Sequence, residues 1–364
     1  MTQHRLRVLI AGGGTGGHVI PALAVARELV ERFGADVRFV GTARGLETKL
    51  VPAAGFPLDL IQVGQLNRVS VATKLKTAVG LPRSISACIG QLHTFRPHVV
   101  FGVGGYASGP AMMAAILTGT PCVAFEPNAI PGMANRLVGR WVKDAAVNFP
   151  DTVSYFRHAQ VTGIPVRPEF FSISSRPVGS APHLLVFGGS QGARVLNRTL
   201  PQVAEALFAA VPALTILHQC GARHVEETEQ VYRQSLGPQR AGLWSVQPFL
   251  DDMPQQFAAA TLVLSRSGAS TVAELAAAAR PSLLIPFPLA ADDHQRRNAE
   301  ELVKAGAAAM LLETELTPER LLTELLALLQ HPFRLGEMGK AARTLAHPNA
   351  AAEIAALLKK QQPA

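Results

Sequence analysis

Cysteine is scarce in this chain: Cys88, Cys122 and Cys220 are the three in 364 residues. They lie far apart and are odd in number. Neither a disulfide framework nor a Cys-x-x-Cys pair fits, so reduced thiols of a cytoplasmic compartment are expected. The eleven histidines show no His-x3-His or Cys-x2-His spacing, so no metal site is expected. Long apolar runs are missing as well. The richest stretch, AELAAAARPSLLIPFPLA, is broken by Arg280 and three prolines, which argues against a membrane span but not against surface attachment. The amino terminus runs directly into a strand-like segment, so no signal peptide is expected. Acidic residues fall short of basic ones, 26 against 34, for a net charge of +8. The excess is scattered, with no Lys/Arg block. An anionic small substrate or an anionic membrane face therefore fits better than nucleic acid.

Glycine is abundant where it matters. Residues 6–11 read as a strand, residues 12–17 as a glycine loop, and residues 19–33 as a helix whose apolar positions are Ile20, Leu23, Ala26, Val30 and Phe33. Pro21 suits its first turn and Gly34 its end. VRFVGT, HVVFGVGGYASGP, PCVAFEPN and DAAVNF supply further strands. The theme then restarts at HLLVFGGSQGARVLNRTL (183–200), with LTILHQCG, GLWSVQPFL, ATLVLSRSG and PSLLIPFP following as strands. Strands alternating with helices predict parallel sheets. The chain reads as two similar α/β halves, joined near the Pro-, Gly- and Ser-rich segment 161–182. Ligands of such sheets gather at the carboxyl ends of the strands.

Gly12, Gly14 and Gly17 satisfy Gly-x-Gly-x-x-Gly, so a dinucleotide site has to be weighed. Such a site needs an acidic residue at the end of the second strand. Here that strand ends FVGTARG, with Asp36 before it and Glu47 beyond it. A nicotinamide-dependent oxidoreductase is thereby disfavoured. A Walker loop needs Gly-Lys-Ser/Thr, and His18 follows Gly17 instead. A ligand-free tight turn would account for one such loop, less readily for three (12–17, 102–109 and 188–192).

The motifs GGGTGGHVIPALAVA, GVGGYASGP, VTGIPVRPE, FGGSQGARVLN and LSRSGASTVAELAAAARPSLLIPFP…DDHQRRNA, in this order from about residue 6 to 350, resemble the bacterial MurG family. The resemblance implies a GT-B glycosyltransferase fold: two Rossmann-like doubly wound domains facing a deep cleft. Residues 1–165 would form an acceptor- and membrane-facing domain and 166–345 a UDP-GlcNAc-binding domain. Residues 346–364 would be a terminal helix able to pack back on the first. It implies an inverting transfer of N-acetylglucosamine from UDP-GlcNAc to the muramyl 4-hydroxyl of lipid I, giving lipid II for peptidoglycan. No cofactor is implied. The implied partners are UDP-GlcNAc, lipid I, the anionic cytoplasmic face of the inner membrane and other cell-wall synthesis proteins. A nucleotide-sugar binding protein without turnover is the non-catalytic alternative. Phe125 lends it weight, since many family members read His-Glu-Gln-Asn where this chain reads Phe125-Glu126-Pro127-Asn128.

Carried over motif by motif, the donor side comprises Thr15, Gly16, Gly17, Asn128, Arg167 and Ser190. It also takes backbone groups at Leu250, the helix start Ala269-Ser270-Thr271-Val272-Ala273, Glu274 for the ribose, and Gln295 for the sugar with His294 beside it. The acceptor side comprises Gly13, Gly14, Gly104, Gly105, Tyr106 and Ser108. His18 and Glu126 are the candidate catalytic bases. Each has a plainer reading: His18 as a helix cap, Tyr106 as core packing, Arg167 as an ion-pair partner. Thr271-x-x-Glu274 also reads as a capping box. There is no Asp-x-Asp; a helix amino terminus with hydroxyl and Arg donors can steady a leaving diphosphate without metal. Residues 71–95, with Val71, Leu75, Val79, Ile85, Ile89 and Leu92 beside Lys74, Lys76 and Arg83, read as a core helix or as a basic-rimmed membrane patch.

Overall fold

The structure is a computed structural model that describes residues 5–63, 71–177 and 179–363. It divides into two compact units, Met1–Pro165 with Asn349–Ala364, and Val166–Pro348.

The first unit holds strands β1 (Arg7–Gly12), β2 (Asp36–Thr42), β3 (Leu58–Ile61), β4 (Val99–Gly104), β5 (Cys122–Glu126), β6 (Asp144–Val147) and β7 (Ala159–Val161). Its helices are α1 (Gly16–Phe33), α2 (Glu47–Ala53), α3 (Val71–Phe95), α4 (Ser108–Thr118) and α5 (Met133–Val138). The strands pair in parallel in the order β3-β2-β1-β4-β5-β6-β7. All five residues of β5 are buried, as expected of a strand covered on both faces.

The buried stripe of α1 is Val19, Ala22, Leu23, Val25, Ala26 and Leu29. Two residues expected inside, Ile20 and Val30, are 52% and 38% exposed. The helix also opens earlier than expected, at Gly16, so Pro21 lies beyond the first turn and its missing N–H leaves the Gly17 carbonyl without a helical partner. Gly34, at φ +57, ends α1: its N–H reaches Val30 O at 2.9 Å, and that of Ala35 reaches Leu29 O at 3.2 Å.

The second unit holds β8 (His183–Phe187), β9 (Thr215–Gln219), β10 (Trp244–Gln247), β11 (Leu262–Ser265), β12 (Ser282–Leu284) and β13 (Ala308–Met310). Its helices are α6 (Pro168–Phe171), α7 (Arg194–Ala210), α8 (Val225–Ser235), α9 (Met253–Ala259), α10 (Ala269–Ala277), α11 (His294–Lys304), α12 (Pro318–Leu329) and α13 (Pro332–Thr344). The sheet is parallel in the order β10-β9-β8-β11-β12-β13. Leu196, Leu200, Ala204 and Leu207 of α7 cover one face of it with Leu184, Val186, Leu262 and Leu264. The last helix, α14 (Ala350–Lys359), belongs to the first unit, where it packs on α1 and Gln361 Nε2 donates to Asp144 Oδ2 at 2.9 Å.

Both sheets change direction between two central strands, β1 and β4 in one and β8 and β11 in the other. Such switch points open a crevice at the carboxyl ends of the strands. The glycine loops lie there.

Candidate active site

In the first unit the loops after β1 and β4 are one assembly. Gly13 N–H donates to Gly104 O at 3.3 Å. A Cβ on Gly105 would strike the Gly13 carbonyl, and both Gly104 and Gly105 hold positive φ, +92° and +81°. The His18 ring lies directly over Gly104, where a Cβ would come within 2.7 Å of its Cε1. Only glycine at 104 leaves room for that imidazole. Thr15 is exposed and its side chain caps nothing, although it occupies the N-cap of α1. Tyr106 is 38% exposed, whereas Ser108 is 1% exposed, enclosed by Gly102 and Met112.

One residue of this assembly belongs to no motif in the sequence. Glu47, 1% exposed, turns its carboxylate back under the first loop. Its oxygens accept Gly14 N–H at 2.6 Å, Thr42 N–H at 2.9 Å and the Thr42 hydroxyl at 2.9 Å. Burial pushes its pKa up, but the hydrogen bonds from Gly14 and Thr42 outweigh this and hold it below the ordinary 4.5. Gly13 and Gly14 therefore direct their N–H groups inward. The amides that open α1, at Thr15, Gly16 and Gly17, are the ones with no intrahelical acceptor.

Glu126, at the end of β5, is 2% exposed. It accepts Asn128 N–H at 3.0 Å, Asn128 Nδ2 at 3.1 Å, Gly132 N–H at 2.9 Å and Asn135 Nδ2 at 2.9 Å. Burial raises its pKa and these bonds oppose the rise. Both oxygens pin the loop 127–132, which fixes Asn128. Phe125 is 1% exposed and packs on Phe101 at 6.1 Å between centroids, so the phenyl ring is a core residue here.

In the second unit Ser190, Leu250, the start of α10 and Gln295 follow β8, β10, β11 and β12, which brings all four to one edge of one sheet. Ser190 is exposed in its loop. The Leu250 side chain is 8% exposed, so its backbone is what it can offer, while the neighbouring Phe249 ring stands 54% exposed. The N-cap of α10 is Gly268, not Thr271, and no side chain caps the helix. Thr271 and Glu274 are its third and sixth residues, so the capping-box reading fails on register. Glu274 is half-buried, and burial pushes its pKa up to about 7 against the pull of Arg167. Arg167 itself is exposed and stacks over Phe170 at 5.1 Å.

The loop before α11 is knitted to this edge. Gln295 Oε1 accepts Phe287 N–H at 3.0 Å, and Ser267 Oγ donates to Gln295 O at 2.7 Å. Arg266 donates to Ile285 O and Pro286 O and pairs with Glu313 at 2.5 Å. Asp292 and Asp293 both sit at left-handed φ, +52° and +54°, a strained turn that sets the entry of α11. Among the described residues, no group of three or more His, Cys, Asp or Glu side chains is placed to hold a metal ion. Nor is any helix long and apolar enough to cross a membrane.

Comparison with known proteins gives consistent matches. Residues 8–147 match the glycosyltransferase family 28 N-terminal domain and residues 183–354 the glycosyltransferase family 28 C-terminal domain. A protein of Solibacter usitatus named UDP-N-acetylglucosamine--N-acetylmuramyl-(pentapeptide) pyrophosphoryl-undecaprenol N-acetylglucosamine transferase is 45% identical over 354 residues, covering 96% of this chain and 95% of that protein. One of the same name from Anaeromyxobacter sp. is 45% identical over 356 residues, covering 96% and 92%. The crystal structure of Acinetobacter baumannii MurG superposes with a TM-score of 0.83 at 32% identity, covering 98% of this chain and 99% of that one.

Proposed function

The chain belongs to glycosyltransferase family 28, and from that premise we infer that it transfers N-acetylglucosamine from UDP-N-acetylglucosamine to the muramyl 4-hydroxyl of lipid I, giving lipid II and UDP. Its two parallel-sheet units are a GT-B fold. The observation that carries the activity is full-length identity of 45% to proteins named for this transfer.

The second unit takes the donor. Amides at the start of α10, the Ser190 hydroxyl and the Arg167 guanidinium offer positive ends to the diphosphate. Glu274 accepts the ribose hydroxyls. Backbone groups at Leu250 meet the uracil edge, with the exposed Phe249 ring alongside. Gln295, aimed by Phe287 N–H, reads the sugar. The first unit takes the acceptor. The resemblance carries Thr15, Gly16 and Gly17 to the donor side; since Gly13 and Gly14 are engaged internally, we assign the amides of Thr15, Gly16 and Gly17 instead to the acceptor's diphosphate. His18 removes the proton of the 4-hydroxyl as that oxygen bonds to the anomeric carbon. The bond from that carbon to the diphosphate oxygen breaks on the opposite face, and UDP leaves with the electron pair. Glu126 holds Asn128 in place rather than accepting this proton, because both its oxygens are already engaged. No metal ion takes part.

A lipid-linked acceptor requires contact with the cytoplasmic membrane face. The apolar side chains expected at Val71, Leu75 and Val79, with Lys74 and Lys76, lie outside the described residues. Beyond Gly80, Cys88 and Leu92 are buried in the core of the first unit, with Ile85 and Ile89 packed against it. The better surface is around α5. Leu137 is 61% exposed, Trp141 62%, Met133 43% and Tyr155 45%, with exposed Arg136, Arg140 and Lys143 interleaved. Such a basic, apolar face suits an anionic bilayer. Trp141→Glu is expected to weaken binding to anionic liposomes; unchanged binding moves the contact elsewhere.

The test of the activity is UDP release from UDP-GlcNAc, with and without a lipid I analogue, in the presence of chelator. Release only with acceptor is the expected result. Turnover lost in chelator and restored by Mg²⁺ would refute the metal-free step.

A further inference from the structure

Glu47 is a buried carboxylate that the transfer step does not use, yet the first loop is built around it. Its oxygens hold Gly14 from below and tie it to Thr42 at the end of β2. The room for this carboxylate is made by three glycines on two segments, the first loop and the stretch from β2 into α2. A Cβ at Gly13 or Gly45 would strike the carboxyl group, and one at Gly41 would come within 2.6 Å of its Cγ. On its other side the same loop rests on Gly104 and Gly105, and the His18 ring lies over Gly104. The loop is thus held between an anion beneath and a glycine shelf above.

We propose that Glu47 is a positioning residue for the acceptor half-reaction: by fixing Gly13–Gly14 it sets the direction of the Thr15–Gly17 amides and of His18. The proposal rests on the assignment of this loop to the acceptor. An ionised acceptor of three hydrogen bonds holds a loop more firmly than a neutral one, because bonds to charged groups are the stronger class. A site residue held on a locked support is placed to within a fraction of an ångström, and small misplacements lower turnover sharply. Glu47 touches neither substrate, so its effect must pass through the loop.

The experiment is steady-state kinetics of Glu47→Gln, His18→Ala and the double variant, varying each substrate in turn. Gln presents an NH2 where one of the three donors needs an acceptor. Acceptor kcat/KM is expected to fall about tenfold or more, with the donor KM within about twofold of wild type. In the His18→Ala background the same change should cost less than about threefold further, because the two act through one loop. Acceptor kcat/KM left within twofold by Glu47→Gln, or its full loss repeated on top of His18→Ala, would overturn the proposal. If Glu47→Gln does not fold, Thr42→Val decides, since it removes a single hydroxyl donor. A fall of about threefold confined to the acceptor supports the proposal, and an unchanged value overturns it. A His18→Ala enzyme with full kcat would instead refute the acceptor assignment of the loop, and the Glu47 proposal with it. A crippled His18→Ala beside a normal Glu47→Gln would refute the Glu47 proposal alone.

Discussion

Glu274→Gln should make the protein more stable and a poorer enzyme, and the pH at which this happens is fixed by the fold. Glu274 lies inside α10, with burial raising its pKa from an ordinary 4.5 to about 7. The unfolded chain releases this proton near 4.5 and the folded chain near 7. Between those values the folded state binds the extra proton, so stability falls as pH rises through the window and stays lower above it. At about 1.4 kcal/mol per pH unit the deficit comes to about 3 kcal/mol at pH 8. Gln carries no charge, so it removes this deficit, but its amide is still a polar group to bury and takes part of the gain back. For a unit of this size 1 kcal/mol corresponds to about 2–4 °C, so a rise in Tm of about 3–6 °C is expected at pH 8. At pH 4.5 or below the wild-type carboxyl is neutral too, so the gain disappears and the variant should melt no higher than the wild type.

Calorimetry of the apo protein at pH 4.5 and 8, with the donor KM measured at pH 8, checks this. The donor KM should rise at least about tenfold, as for loss of a charged hydrogen bond to a hydroxyl. UDP-GlcNAc should raise the Tm of the wild type more than that of the variant. A lower Tm for Glu274→Gln at pH 8, or a difference that does not change with pH, would refute the reasoning. Either would return Glu274 to a structural role in its helix.

His18→Ala should lower kcat by about a hundredfold or more while leaving UDP affinity unchanged; a kcat within about twofold of wild type would exclude the imidazole as base. Gly104→Ala adds a Cβ at φ +92° within 2.7 Å of the His18 ring, so it should cut kcat without altering UDP binding, as read by titration with UDP. Glu126→Ala leaves the donors of Asn128, Gly132 and Asn135 unmatched in a buried loop; a loss of about 3 kcal/mol in urea unfolding is expected. Unchanged stability with lost turnover would make Glu126 the base instead.

The central strands were legible because each is a short apolar run bounded by glycine or proline. HLLVF, TILHQ and VVFGVG became β8, β9 and β4. The strands that the sequence did not reveal are β3, β7 and β13, of four, three and three residues, and each lies at a sheet edge. An edge strand is covered less, so LDLI, AQV and AAM carry too little apolar pattern to stand out. Leu23 and Ala26 of α1 are buried as the apolar pattern predicts, while Ile20 and Val30 are exposed and Val19 takes the inner position. Thr271 reads as a helix cap in sequence, but Gly268, with extended backbone, takes that position. Ser/Thr-x-x-Glu spacing alone does not fix where the chain turns.

Glu47 carries no motif that marks it in the sequence. A dinucleotide site needs an acid at the end of β2 that faces a ribose, and the chain has none there. What it has is an acid five residues beyond Thr42, which enters from α2 and meets the underside of the loop. Two glycines, Gly41 and Gly45, flank the segment that carries it back, and their purpose shows only once the carboxylate is seen between them. The same Gly-x-Gly-x-x-Gly pattern that binds an external diphosphate in a dinucleotide fold is here partly filled by an internal anion. A loop whose first donors are already satisfied cannot wrap a pyrophosphate as that motif does. It can hold a rigid helix start and one histidine toward a substrate, which is what a transferase acting on an acceptor hydroxyl needs.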